Sequence, residues 1–103
     1  MQGQKLTLNN IVETLRKQKS VLKKYMVKRI GLFGSFARGD QTEKSDIDFV
    51  VEFEKPSFDN FMDLSSYLEG LFGRKVDILT PIGVDSIRIK QVADNIRKGI
   101  IYV

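Results

Sequence analysis

Leu8, Ile11, Val12, Leu15 and Leu22 recur at near-helical spacing behind two capping candidates, Thr7 and Asn9, and Met26 extends the stripe. The pattern predicts a first helix to about Lys24, with Arg16, Lys17, Lys23 and Lys24 mostly on its other faces. Val27 to Phe33 is short and apolar, is bounded by Gly34, and predicts a buried strand. Residues 34–45 predict a turn, a short helix and a polar loop. Asp46 to Phe53 predicts a second strand, ended by Pro56. Ser57 then caps a helix over 58–72, whose expected buried face is Phe58, Phe61, Met62, Leu68, Leu71 and Phe72, and Gly73 closes it. Lys75 to Leu79 predicts a third strand, stopped by Pro81 and Gly83. Asp85 or Ser86 caps a last helix to about Lys98, with Ile89, Val92, Ala93 and Ile96 inward. Gly99 ends it, and Ile100 to Val103 adds a short edge strand.

The expected class is therefore α/β (α+β): a small mixed sheet of three to four strands with helices packed on it. Its 103 residues suit a single domain, 1–103. The longest uncharged stretch, Ile30 to Ala37, is eight residues, and a membrane-spanning helix needs roughly 18–20. No charged-then-apolar leader opens the chain, so a soluble cytoplasmic protein without a membrane partner is expected.

Two absences narrow the chemistry. Without Cys there are no disulfides, thiolate metal sites or cysteine nucleophiles. Without His there is no histidine base, and almost every transition-metal site is excluded. Catalysis must use Asp, Glu, Ser, Tyr, Lys or Arg, and any metal is a hard cation held by oxygen. The net charge of +4 is uneven: residues 1–29 carry +7 and residues 30–103 carry −3. The basic front end reads either as a solvated helix face or as a surface for an acidic partner.

The informative segment runs from Gly34 to Asp48. A strand ending in Gly34-Ser35 and turning into a helix offers unpaired N–H groups to a phosphate. Gly34 lets the backbone approach closely, and the Ser35 hydroxyl adds a donor. A tight turn with Ser35 as helix cap is the plainer alternative. A Walker loop is excluded, because Asp40 and Gln41 follow Gly39 where Lys and Ser or Thr are required. Asp46 and Asp48 alternate along a strand, so they share one face roughly 6.5–7 Å apart. Paired acids repel unless a cation or proton lies between them, and Mg²⁺ is the ion that such pairs hold with phosphates. Solvated acids at a strand start are the alternative. Asp77, the one acid in Lys-Val-Asp-Ile-Leu, reaches the same face if its strand lies beside the second; otherwise it is a surface residue on an edge. Three carboxylates would hold two Mg²⁺ ions roughly 3.5–4 Å apart, the arrangement of in-line phosphoryl transfer. Arg38 adds charge near a triphosphate, or pairs with Asp40 or a helix carbonyl.

Gly34-Ser35, ten residues, then Asp46-x-Asp48 resembles the signature of the DNA polymerase β nucleotidyltransferase superfamily. The longer strings Leu-Phe-Gly-Ser-Phe-Ala-Arg-Gly and Ser-Asp-Ile-Asp-Phe-Val-Val resemble its minimal nucleotidyltransferase domains. The resemblance implies a polymerase-β-like fold. It implies metal and catalytic roles for Asp46, Asp48 and Asp77 and phosphate contacts from Gly34 and Ser35; Arg38, the candidate for nucleotide binding, and Gly39 match family positions without a role assigned to them. It also implies Mg²⁺, two ions in number, and ATP as substrate. Minimal domains of this kind pair with a HEPN-domain ribonuclease toxin, and they silence it by transferring AMP to a tyrosine. A Mg²⁺-dependent protein adenylyltransferase acting as antitoxin is the expectation. The alternatives are a nucleotide-binding antitoxin that only covers its partner, and a transferase for another acceptor, including a small molecule. Direct nucleic-acid binding ranks last, because only Tyr25 is interleaved with the basic residues of the front end.

Overall fold

A computed structural model describes residues 6–85, 87–88 and 90–103. Helix α1 spans Leu8–Lys17 and α2 spans Lys19–Lys24. Thr7 caps α1 reciprocally: its hydroxyl accepts from the Asn10 N–H (3.2 Å), and Asn10 Oδ1 accepts from the Thr7 N–H (3.1 Å). The single helix expected to Lys24 is broken at Gln18. Its N–H is shared between the Thr14 and Leu15 carbonyls, and its side chain accepts from the Tyr67 hydroxyl at 3.2 Å. A contact with a distant helix therefore accompanies the break, and nothing in the local sequence announces it.

Strand β1 runs from Val27 to Phe33, helix α3 from Gly34 to Arg38, and β2 from Ile47 to Phe53. Helix α4 spans Phe58–Phe72, β3 spans Val76–Leu79, α5 spans Pro81–Asp85, α6 spans Lys90–Lys98, and β4 is Ile101–Tyr102. The sheet order is β3-β2-β1-β4. β1 is antiparallel to both β2 and β4, whereas β2 and β3 are parallel and connected through α4. This is the expected mixed sheet with helices packed on it.

β2 is the centre of the molecule. Ile47, Phe49 and Val51 are fully buried on one face, with Ile11, Leu15, Leu32, Phe36, Leu64 and Leu68 in the same core. Val50, on the other face, is buried as well, because α5 packs against β2 there. That near-continuous apolar run is what a strand covered on both faces requires.

Helix α4 begins and ends as expected, with Ser57 accepting from the Asn60 N–H (3.0 Å) and Gly73 left-handed at the C-terminal end. Its buried face is corrected. Phe58 is 77% exposed and Met62 45%, whereas Leu64 and Leu68 are buried. At about 100° per residue, Leu64, Leu68 and Leu71 define a stripe from which Met62 is turned well away. Pro81 opens α5 rather than only ending β3, which is the position that tolerates its missing N–H. The last helix, expected behind Asp85 or Ser86, is α6 and begins only at Lys90, with α5 a separate short helix before it. Asp85 is the final residue of α5, while Ser86, Ile89 and the Val92 side chain lie outside the described residues. Ala93 is buried and Ile96 half-buried, as expected. Among the described residues no helix is long and apolar enough to cross a membrane.

Candidate active site

The first strand delivers Phe33 opposite Asp48 in the antiparallel ladder, and the chain turns immediately afterwards. Gly34 has φ +74°, a left-handed conformation that favours glycine. A methyl group at this position would overlap the Asp48 carboxyl, starting with Oδ2 and standing 3.0 Å from Cγ. Gly34 is thus demanded twice, by its backbone angle and by the acid beside it. Phe36, fully buried, anchors the five-residue helix α3 that follows. So short a helix has little macrodipole, and what it presents is first-turn N–H groups that have no partner within the helix and the half-buried Ser35. Gly39, with φ +82°, ends α3 by donating to the Ser35 carbonyl at 2.9 Å. Arg38 pairs with Asp40, Nε to Oδ2 at 3.1 Å, on an exposed surface.

Asp48 and Asp77 are direct partners in the parallel pairing of β2 and β3, so they occupy matching places on neighbouring strands. Asp48 is half-buried and Asp77 exposed. The Asp48 carboxyl is pushed up to about 6. Burial is the main cause, the charges of Asp77 and then Asp46 add to it, Arg38 opposes it, and a hydrogen bond with Asp77 contributes. Asp46 stands one residue before β2, outside the strand expected to contain it, although still within electrostatic reach of Asp48. Its displacement fits the poor strand preference of aspartate. Among the described residues no three acids are drawn into a ready-made metal cage. The donor set nevertheless suits a hard divalent cation: all oxygen, mutually repelling, and half-buried at its centre.

Two further groups were not legible in the sequence. Arg74, in the turn between α4 and β3, donates through Nη1 to the Thr42 and Ser45 carbonyls, both at 3.1 Å. It fixes the polar loop that ends at Asp46, and only the 29-residue separation between partners hid it. The second group surrounds a cleft of about 600 Å³ beside Gly34. Phe33, Gly34 and Arg38 form one wall, and Asn95, Ile96, Lys98 and Gly99 form the other. The end of α6 carries no motif that would have marked it.

A nucleotidyltransferase domain family model matches residues 11–103. A Methanocaldococcus jannaschii protein, provisionally named a protein adenylyltransferase, is 48% identical over 101 residues, covering 94% of this chain and 98% of its own length. A solved structure, provisionally described as a minimal nucleotidyltransferase, superposes with a TM-score of 0.75 at 28% identity, covering 96% of this chain and 98% of that one. A chain in a crystal structure of a toxin–antitoxin with AMP-PNP shares the fold at a TM-score of 0.61 and 22% identity, covering 94% of this chain and 72% of that one.

Proposed function

The chain belongs to the nucleotidyltransferase domain family and is a nucleotidyltransferase, and from that premise we propose that it adenylylates a toxin protein and so acts as its antitoxin. The observation that carries the reading is the Asp48–Asp77 pair, set on adjacent strands with Gly34 backed onto Asp48. This places acids and closely approachable backbone at one point, which a nucleoside triphosphate and a hard cation require together.

In the proposed reaction ATP is the donor and a tyrosine hydroxyl of a HEPN-type ribonuclease toxin is the acceptor. The Gly34 and Ser35 backbone and the Ser35 hydroxyl hold phosphate oxygens. Asp46, Asp48 and Asp77 are the groups that would hold Mg²⁺, in keeping with their all-oxygen chemistry. The ion would supply charge that offsets the phosphates. The phenol oxygen bonds to the α-phosphorus, the α–β phosphoanhydride bond breaks, and pyrophosphate leaves. Asp77, exposed at the sheet's margin, receives the phenol proton. A phenol, with a pKa of about 10, is easier to activate than an aliphatic hydroxyl.

The relative's name and the toxin–antitoxin neighbour support this choice of reaction and partner. Intact-mass analysis of the toxin after incubation with this protein, ATP and Mg²⁺ tests it, with Asp46→Ala as control. Addition of one AMP by wild type alone is expected. A toxin that is inhibited yet unmodified would mean that the protein neutralises its partner by covering it.

A further inference from the structure

The acids and the Gly34 turn account for the phosphate end of a nucleotide and leave the rest of it unheld. The cleft of about 600 Å³ opens at Gly34, and it lies within the range of small-molecule sites, roughly 300–1,000 Å³. Its walls come from two elements far apart in sequence: the β1–α3 junction and the last turn of α6. Between them they offer two apolar side chains, Phe33 and Ile96, one amide, Asn95, and two cations, Arg38 and Lys98.

These groups are not equivalent. Arg38 already has a carboxylate partner in Asp40. Lys98 makes no ion pair among the described residues, and it stands within the last turn of α6. A triphosphate entering beside Asp46, Asp48 and Asp77 adds anionic charge to an acidic site, so a cation free to meet it matters more than one already engaged. Asn95 lies three residues before Lys98, one helical turn away and on the same side of α6. An amide that donates and accepts, flanked by Ile96 and facing Phe33, suits the edge and face of a purine.

We propose that this cleft is the nucleotide pocket, in which Lys98 meets the triphosphate and Asn95 reads the base. The proposal rests on the nucleotidyltransferase reading and deepens it by assigning substrate contacts to α6. It also gives the final helix a purpose beyond covering the sheet: the nucleotide would join α6 to α3, two elements far apart in sequence.

Equilibrium binding to the full chain separates the possibilities, using a non-hydrolysable ATP analogue, the matching GTP analogue and inorganic tripolyphosphate. Lys98→Ala is expected to weaken the ATP analogue and tripolyphosphate at least tenfold, and Lys98→Arg to restore most of the loss. Asn95→Ala is expected to leave tripolyphosphate unchanged while weakening the ATP analogue and narrowing its advantage over the GTP analogue. Melting curves like that of wild type exclude misfolding as the cause. If both alanine variants bind all three probes as wild type does, the pocket is wrong while the activity stands. A wild-type chain that binds none of the probes overturns the pocket and the nucleotidyltransferase reading together.

Discussion

Gly34 and Asp48 sit so close across the end of the β1–β2 ladder that no side chain fits between them. The left-handed angle of Gly34 turns the chain away from the sheet, and the Asp48 carboxyl occupies the space that a Cβ would take. The turn and the acid are thus one construction. Backbone can approach the Asp48 carboxylate this closely only if the residue at the turn has no side chain.

Gly34→Ala should therefore cost activity more than stability. The positive φ makes alanine less stable by about 1–2 kcal/mol. The Asp48 side chain can rotate away from the new methyl, so the fold should survive. A carboxyl swung out of place costs transfer heavily, and a loss of at least about a hundredfold is expected from misplaced catalytic groups. Thermal denaturation and the AMP-transfer assay check both halves. Full activity in a folded Gly34→Ala chain would show that the position of Asp48 is unimportant.

Asp48→Asn should keep the fold and abolish transfer, and it should flatten a pH dependence of stability. The folded carboxyl titrates near 6, above its ordinary value of 3.8, chiefly through burial. Between those values the folded chain holds a proton that the unfolded chain releases. The group's contribution is therefore fully present below about 3.8 and is lost as pH rises through about 6. Without divalent cations, wild type should lose on the order of 1 kcal/mol relative to Asp48→Asn between pH 4.5 and 7.5, allowing for solvent screening. At neutral pH the variant should be as stable as wild type or more so. Urea titrations in chelator at the two pH values measure this. Parallel pH trends in the two proteins would remove the raised carboxyl from the account.

The local pattern carried much of the fold and the identity of the acids, for identifiable reasons. Val27–Phe33 and residues 58–72 have the expected bounds, because apolar runs flanked by Gly34, Ser57 and Gly73 are settled by local chemistry. The Asp48–Asp77 pairing followed from alternation plus one assumption, that their strands are neighbours. What the pattern could not carry was tertiary. The break at Gln18 accompanies its hydrogen bond to Tyr67, 49 residues away. The exposed face of Phe58 and Met62 depends on which side of α4 meets the sheet. Asp46 fell just outside β2, since periodicity fixes the face of a residue better than the end of a strand. Arg74 and Lys98 lie in stretches of ordinary composition, and only the fold gives them partners or a cleft.

Arg74→Ala should loosen the loop that precedes Asp46. The guanidinium bridges the Thr42 and Ser45 carbonyls and lies over the Phe36 ring, 5.4 Å from its centroid. It thus braces α3 and the start of β2 together. Two charge-assisted hydrogen bonds at a partly exposed site suggest a stability loss of about 1–2 kcal/mol. Because Asp46 follows the braced loop directly, kcat should fall while binding of the ATP analogue changes little. Arg74→Lys should rescue only partly, since an ammonium lacks the planar fork. Faster hydrogen exchange in residues 40–46 of the alanine variant would report the loosening itself, and unchanged exchange there would refute it.

Magnesium should stabilise the wild-type chain, and the gain should shrink by about half at pH 5.5. Asp46, Asp48 and Asp77 repel one another, and part of that strain is relieved by a proton on Asp48 near pH 6. A divalent cation relieves the same repulsion, so it competes with that proton for the same carboxyl oxygens. At pH 7.5 the proton has already gone and the acids are available; at pH 5.5 the ion must first displace it. Magnesium at ten times its dissociation constant should contribute about 1.4 kcal/mol to stability at the higher pH. Asp48→Asn should show little gain at either pH, because its amide has lost the charge that favours the ion. Melting curves with and without magnesium, in both proteins and at both pH values, provide the measurement. An equal gain in wild type and Asp48→Asn would place the ion elsewhere on the surface, and a gain in wild type independent of pH would separate it from the Asp48 proton.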